Sequence, residues 1–298
     1  MRAERDSDRW FAPAVGVVLV AAGAVVGALV GAAPGAAVGV AAGSGSAVAL
    51  WRFLGGRSAR RRALLALPFP PRWRDFLLDN YDHYERLPPD LRRRFEDDLR
   101  IFLSETRITG IEAQVTDELR LLVAASAVTL SVAWPDYEWD QLAEVLLYPQ
   151  DFDRDYSFEK EELAGQAHPW GTVILSIPAL RESFEDPDDA YHVGLHEFAH
   201  LLEVHETRFS GIPPGLSPGR RQEWVALMEK EMDRLRRGKS VIDDYGAEDP
   251  AEFLAVAVEA FFESALALRR RHREVYDILA EYFRQDPAAW DDARGLRL

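Results

Sequence analysis

Two histidines four residues apart, with a glutamate beside the first, lie inside the apolar run GLHEFAHLLEVH at 194–205. In a helix, positions i and i+4 share a face, so the His196 and His200 imidazoles point the same way. Leu195, Phe198, Ala199, Leu201 and Leu202 surround them and require the helix to be packed in a core. Burying two imidazoles and a carboxylate without partners is costly, and a metal ion held by both rings removes that cost. Glu197, one position round the helix, is then placed as general base for a water that the metal activates. A chain built on this helix has to fold so that another segment brings further ligands to the same buried face.

With seven histidines in 298 residues the pentapeptide HEFAH can arise by chance, so the case needs a second motif. There is no cysteine, which removes disulfides, thiol nucleophiles and thiolate ligands and leaves His, Asp and Glu for any metal. An apolar content of 48% with 11% aromatics suits a packed globular core. Charge is unevenly spread: residues 1–62 hold eight arginines against Glu4, Asp6 and Asp8, a local +5, so with a net charge of −15 the remainder carries −20. A body this acidic repels phosphate backbones, which excludes nucleic acid as a ligand, whereas the basic N-terminal flanks suit membrane lipid with anionic headgroups.

Trp10–Trp51 is an uncharged, Val/Ala/Gly-rich stretch of 42 residues. As one helix it would span about 63 Å, roughly twice a bilayer's hydrocarbon core. Pro34-Gly35 near its midpoint divides it into two expected membrane helices, near Ala14–Gly31 and Ala36–Phe53, with glycines every fourth residue from Gly23 to Gly43 on a close-packing face. The arginines on both flanks place both ends on the cytoplasmic side of a bacterial inner membrane, with the catalytic part facing the cytoplasm. The rival readings are a flexible linker, suggested by AAGSGSA at 41–47, and a secretory signal ending near Ala32-Ala33. Residues 1–64 are thus read as a membrane hairpin with basic flanks and 65–298 as a separate metallopeptidase domain.

From about Leu65 the pattern changes. Helical periodicity is expected around Trp73–Tyr84, Pro89–Thr106 and Asp117–Ser131, followed by short strands at Glu144–Tyr148 and Thr172–Ile177. Helices are expected again at Tyr191–His205, Arg220–Arg237, Pro250–Arg271 and Arg273–Arg284. This order reads as a helix-rich α+β domain. The basic run Arg269–Arg273 reads as a solvated helix face, and His83, His168 and His192, lacking spaced partners, are assigned no role.

A catalytic zinc usually keeps three protein ligands. Glu203, His205 and Glu206 lie near the pentapeptide, but Glu203 is two turns beyond His196, so a separate helix is the better source. Asp249-Pro250-Ala251-Glu252 opens such a helix, with Asp249 as N-cap and Pro250 at its first position. Glu252 can alternatively fold back on the cap's own amide, as a glutamate at this position commonly does.

The run DYGAEDPAEF at 244–253, followed by Glu259 and Phe261-Phe262 and taken together with HEFAH, resembles the Mlc titration factor A peptidase family. It is also similar to the catalytic domain of anthrax lethal factor. The likeness covers about residues 65–290 and includes VLLYP at 145–149, VILS at 173–176, Gly211-Ile212-Pro213 and Trp224. It implies a zincin-like, gluzincin-type fold in which His196, His200 and Glu252 bind Zn2+, Glu197 is the general base and Tyr245 donates to the oxyanion. Glu259, seven residues after Glu252 on the same face, is placed to accept the free N–H of a ligand histidine.

The function expected is metal-assisted hydrolysis of a peptide or protein substrate, with the Thr172–Ile177 strand pairing with the extended substrate. The resemblance adds aminopeptidase-type action on small substrates and a transcriptional-repressor partner. The reading from another class is a membrane-tethered regulator-binding (titration) protein that keeps the zinc domain as scaffold; intact Glu197 and Tyr245 speak against it.

Overall fold

The computed structural model describes the chain from residue 56 onward, apart from 154–155, 158–162, 204–208, 239, 241 and 295–298. Of residues 1–55 it describes 17–18, 20–22, 24–26, 28–29, 38 and 40–46, all of them helical. The chain divides into two units, Met1–Pro68 and Phe69–Leu298.

In the first unit, residues 56–65 are helical. The expected membrane hairpin does not hold, because no helix among the described residues is long and apolar enough to cross a membrane. The inner-membrane placement that rested on it falls with it. The physical reason lies in the composition that suggested the hairpin: Gly, Ala and Ser add little apolar area per turn, and each interior glycine costs a helix about 1 kcal/mol. The expected turn at Pro34-Gly35 lies outside the described residues.

The second unit is helix-rich α+β. It opens with α1 (Pro71–Asn80), α2 (Asp82–Arg86) and α3 (Pro89–Glu105); prolines start α1 and α3, where a missing N–H costs nothing. Strand β1 (Ile108–Gly110) follows, then α4 (Asp117–Ser131), whose N-cap Thr116 accepts the Leu119 amide at 3.3 Å. From Leu121 to Ser131 every residue of α4 is buried, so this helix runs through the core with apolar or small side chains on all sides.

Strands β2 (Glu144–Tyr148), β3 (Gly165–Ala167) and β4 (Thr172–Ser176) complete a sheet of order β1-β2-β4-β3. The first three in that order are parallel, with Val145 opposite Val173 and Leu147 opposite Leu175, and β3 runs antiparallel to β4. Strand β4 therefore has a neighbour on each side, so it offers no free edge to a substrate; β3 is the edge. The remaining helices are α5 (Ile177–Glu185), α6 (Val193–Leu202), α7 (Pro218–Leu235), α8 (Pro250–Phe262), α9 (Ala265–Arg271), α10 (Arg273–Phe283) and α11 (Pro287–Arg294).

His83 on α2, left without a role by sequence, is a core residue 2% exposed, its ring 5.2 Å from that of Phe262 and 5.8 Å from those of Tyr81 and Trp290. Burial, with Arg86 adding to it, pushes its pKa down from 6.5 to about 3. The unfolded chain therefore takes up this proton well before the folded one, and stability is lost as pH falls from 6.5 toward 3, by at most about 1.4 kcal/mol per pH unit. His83→Phe should fold and flatten that part of the acid limb when urea midpoints are followed against pH. An unchanged slope would remove His83 as its source.

Candidate metal centre

Helix α6 presents His196 and His200 on one face. Its N-cap is His192, whose Nδ1 accepts the Leu195 amide at 3.2 Å, while the His192 backbone N–H donates to Glu259. Helix α8 crosses it, starting at Asp249, whose Oδ1 accepts the amides of Ala251 at 2.7 Å and Glu252 at 3.1 Å. The cap is thus satisfied from Asp249 alone. The Glu252 carboxylate does not fold back on it but turns to the two histidines, with Oε2 at 3.0 Å from His196 Nε2 and 3.4 Å from His200 Nε2.

The two Nε2 atoms are 3.1 Å apart. These three atoms form a triangle with edges of 3.0, 3.1 and 3.4 Å. A tetrahedral centre with bonds of about 2.0–2.1 Å has ligand–ligand edges of about 3.3–3.4 Å, so the triangle nearly matches one face of such a centre. Two imidazole nitrogens facing each other beside a carboxylate are poorly satisfied by one shared proton; a cation satisfies all three. Neutral His with carboxylate is a zinc-type donor set. No other group of three or more such side chains is gathered this way among the described residues.

The histidines are oriented from behind. His196 Nδ1 lies 2.8 Å from Glu259 Oε1, and the Glu259 side chain is 2% exposed. With that proton on Nδ1, the Nε2 lone pair is left for a metal. His200 Nδ1 faces Glu203 Oε1 at 3.6 Å. Glu203 also accepts the Ser210 amide at 3.1 Å and the Gly211 amide. Gly211 has φ +67°, and a Cβ there would meet the Pro250 carbonyl oxygen at 2.0 Å, so only glycine lets this loop lie against the start of α8. Glu203 thus sits behind His200, outside the ligand triangle. The other nearby candidates, His205 and Glu206, lie outside the described residues.

Burial pushes His196 and His200 down, but the surrounding carboxylates more than offset it: Glu259 and Glu252 raise His196, and Glu203 and Glu252 raise His200 to about 9. Glu252 is opposed by burial yet held down to about 2 by the two histidines. Glu197, 5% exposed, is pushed up by burial against the pull of both rings. Its carboxylate lies against β3, where a Cβ on Gly165 would meet Oε1 at 2.6 Å and Cγ at 2.7 Å.

Tyr245 stands on a 3-10 turn, Asp244–Ala247, its amide bound to Asp243 Oδ1 at 2.8 Å and its ring 6.1 Å from that of His196. It is 43% exposed, and burial of its hydroxyl beside Glu252 raises its pKa to about 12. The segment before it is anchored by His272, which lies 3.1 Å from Ser240 Oγ through Nε2 and 2.7 Å from Glu231 through Nδ1.

The structure therefore brings His196, His200 and Glu252 together, with Glu197 and Tyr245 beside them. Sequence reasoning passed over His192 and Gly165. His192 carried a faint signal as the residue before an apolar helical run; Gly165 carried none.

The family model for glucose-regulated metallo-peptidase M90 matches residues 56–284. An uncharacterized protein of Synechocystis sp. is 30% identical over 262 residues, covering 82% of this chain and 94% of its own. Mlc titration factor A of Edwardsiella ictaluri is 30% identical over 226 residues, covering 69% of this chain and 82% of its own. That of Escherichia fergusonii is 30% identical over 205 residues, covering 62% and 76%. A match of this extent, over a chain that holds a His-His-Glu cluster, shows that the protein belongs to the glucose-regulated metallo-peptidase M90 family.

Proposed function

We propose that the chain is a zinc-dependent peptidase in which His196, His200 and Glu252 hold the metal and Glu197 is the general base. The triangle of ligand atoms with a buried carboxylate one residue from the first ligand carries this reading. Zinc in that triangle would supply a Lewis acid that polarises a carbonyl and acidifies a water. Glu197, raised by burial, takes a proton from the attacking water and delivers it to the leaving amine. Tyr245 keeps its proton at neutral pH and donates to the oxygen of the scissile carbonyl as negative charge develops there. The open edge of β3, next to Glu197, supplies backbone groups for an extended substrate, taking the place expected of β4. The relatives are named for titrating Mlc, which supports a regulator protein of that kind as a binding partner.

The reading is tested by peptide hydrolysis with the full chain, loaded with zinc, stripped by chelator and reloaded. Activity that follows the metal supports it; zinc-loaded protein inert on a broad peptide panel supports the scaffold reading. Tyr245→Phe should lower kcat by about 10²–10³ with little change in KM, because its hydrogen bond forms in the transition state. Wild-type turnover would reduce Tyr245 to packing.

Gly165→Ala probes the base from the opposite side. The added methyl meets Glu197 Oε1 at 2.6 Å, its Cγ at 2.7 Å and Val193 Cγ2 at 2.8 Å, so these side chains or the backbone of β3 must move. A shift of about 1 Å is expected to lower kcat by about 10²-fold with zinc content unchanged. Unaltered kcat would show that Glu197 has room to retreat without loss.

A further inference from the structure

Residues 63–298 carry a net charge of −20, yet one cavity of this acidic body is walled by arginines. It has a volume of about 520 Å³ and lies among α1, the α2–α3 junction and α11, sharing no residue with the metal centre. Arg74, Arg86, Arg92 and Arg93 line it together with Glu85 and Glu96. Leu87, Pro88, Pro89 and Trp290 give it an apolar floor. The volume falls in the range of small-molecule sites, about 300–1,000 Å³.

The arginines are not equally compensated. Arg74 is neutralised by Glu96 through two bonds of 2.9 Å, and Arg93 by Asp90. Arg86 uses Nη1 for Asp291 at 3.1 Å, which leaves its Nε buried without an acceptor although the side chain is only 8% exposed. Arg92 forms no ion pair among the described residues; its Nη2 donates to the carbonyls of Glu85 and Leu87, and its Nε is also buried without an acceptor. Two of the arginines that line the cavity thus each hold a buried Nε without an acceptor.

We propose that this cavity binds a small organic anion, its phosphoryl or carboxylate oxygens held between Arg86 and Arg92 and its apolar part laid against Leu87, Pro88 and Trp290. The planar fork of each guanidinium fits paired oxygens in a way that a lone ammonium would not. Arg92, whose guanidinium lies 5.4 Å from the centroid of the Tyr84 ring, supplies a charge with no carboxylate partner among the described residues, and Trp290 a flat face for an aromatic or acyl group.

Phenyl phosphate and benzoate serve as probes for the two oxygen chemistries, titrated calorimetrically into the full zinc-loaded chain at low salt. At least one is expected to bind saturably, and the tighter of the two identifies the headgroup. Arg92→Gln should weaken that binding by about tenfold or more. Arg92→Lys keeps the charge and removes the fork; it should also weaken binding, and it serves where the Gln variant fails to fold. Glu252→Ala, which disables the metal centre, should leave binding unchanged, separating this cavity from anion capture by zinc. No binding of either probe, binding that survives both Arg92 variants, or binding lost in Glu252→Ala would overturn the proposal.

Discussion

Glu197→Gln is expected to keep zinc and fold while lowering kcat by about 10²–10⁴, the usual contribution of a positioned general base. Glutamine matches the shape of glutamate, so the close fit against Gly165 is preserved and the ligand triangle beyond it is undisturbed. What changes is proton affinity. Burial raises Glu197 toward the pH at which a base can both accept and release a proton, and an amide can do neither. Because KM reports contacts that Glu197 does not make in the ground state, it should stay within a few fold. The measurement is metal content by mass spectrometry beside single-turnover hydrolysis of a peptide. Turnover above about a tenth of wild type with full zinc would remove Glu197 as the base.

Periodicity is enough for α3, α4, β2 and β4, whose bounds fall within a residue or two of expectation, because the two helices are long and the two strands are short apolar runs bounded by Pro or Gly. Strand β3 was invisible. Gly165-Gln166-Ala167 has no β-branched or aromatic residue, and it is a strand only because β4 and α6 offer it a place. Helix α5 carries no expectation of its own, and the expected strand Thr172–Ile177 takes in its first residue; Ser176 as N-cap and Pro178 in the first turn are the signals that mark a helix start there. The expected single helix from Pro250 to Arg271 breaks at Glu263-Ser264, where Ser264 Oγ turns to the Asp188 carbonyl at 3.0 Å.

The site was more legible than the fold around it. A buried HExxH helix states its chemistry through two residues at fixed spacing, whereas the third ligand depends on which helix crosses it. Local spacing leaves Glu252 divided between capping and ligation; in the structure Asp249 satisfies the cap, and the Glu252 carboxylate lies against the two imidazoles instead. At the N-terminus the opposite happened. Length and absence of charge suggest a membrane, yet among the described residues no helix is long and apolar enough to cross one, since small side chains add little apolar surface per turn.

Glu252→Ala is expected to reduce bound zinc from about one equivalent to less than a tenth after dialysis, and to take hydrolysis with it. Helix α8 should survive, since its cap rests on Asp249 Oδ1 and the other side chains that bury it are untouched. The loss follows from what remains: two nitrogens 3.1 Å apart and no anionic ligand, in a site where each ring must shed a proton before it can bind. Glu259→Gln is the graded comparison. It keeps all three ligands but weakens the acceptor that fixes the His196 ring, for which a loss of about 10–100-fold in metal affinity is typical. Full zinc in Glu252→Ala would return the third-ligand role to Glu203, His205 or Glu206, and for Glu203 the geometry argues against that outcome. Glu203 faces Nδ1 of His200 at 3.6 Å, on the opposite side of the ring from the Nε2 that completes the triangle, and its other oxygen is already engaged by the amides of Ser210 and Gly211.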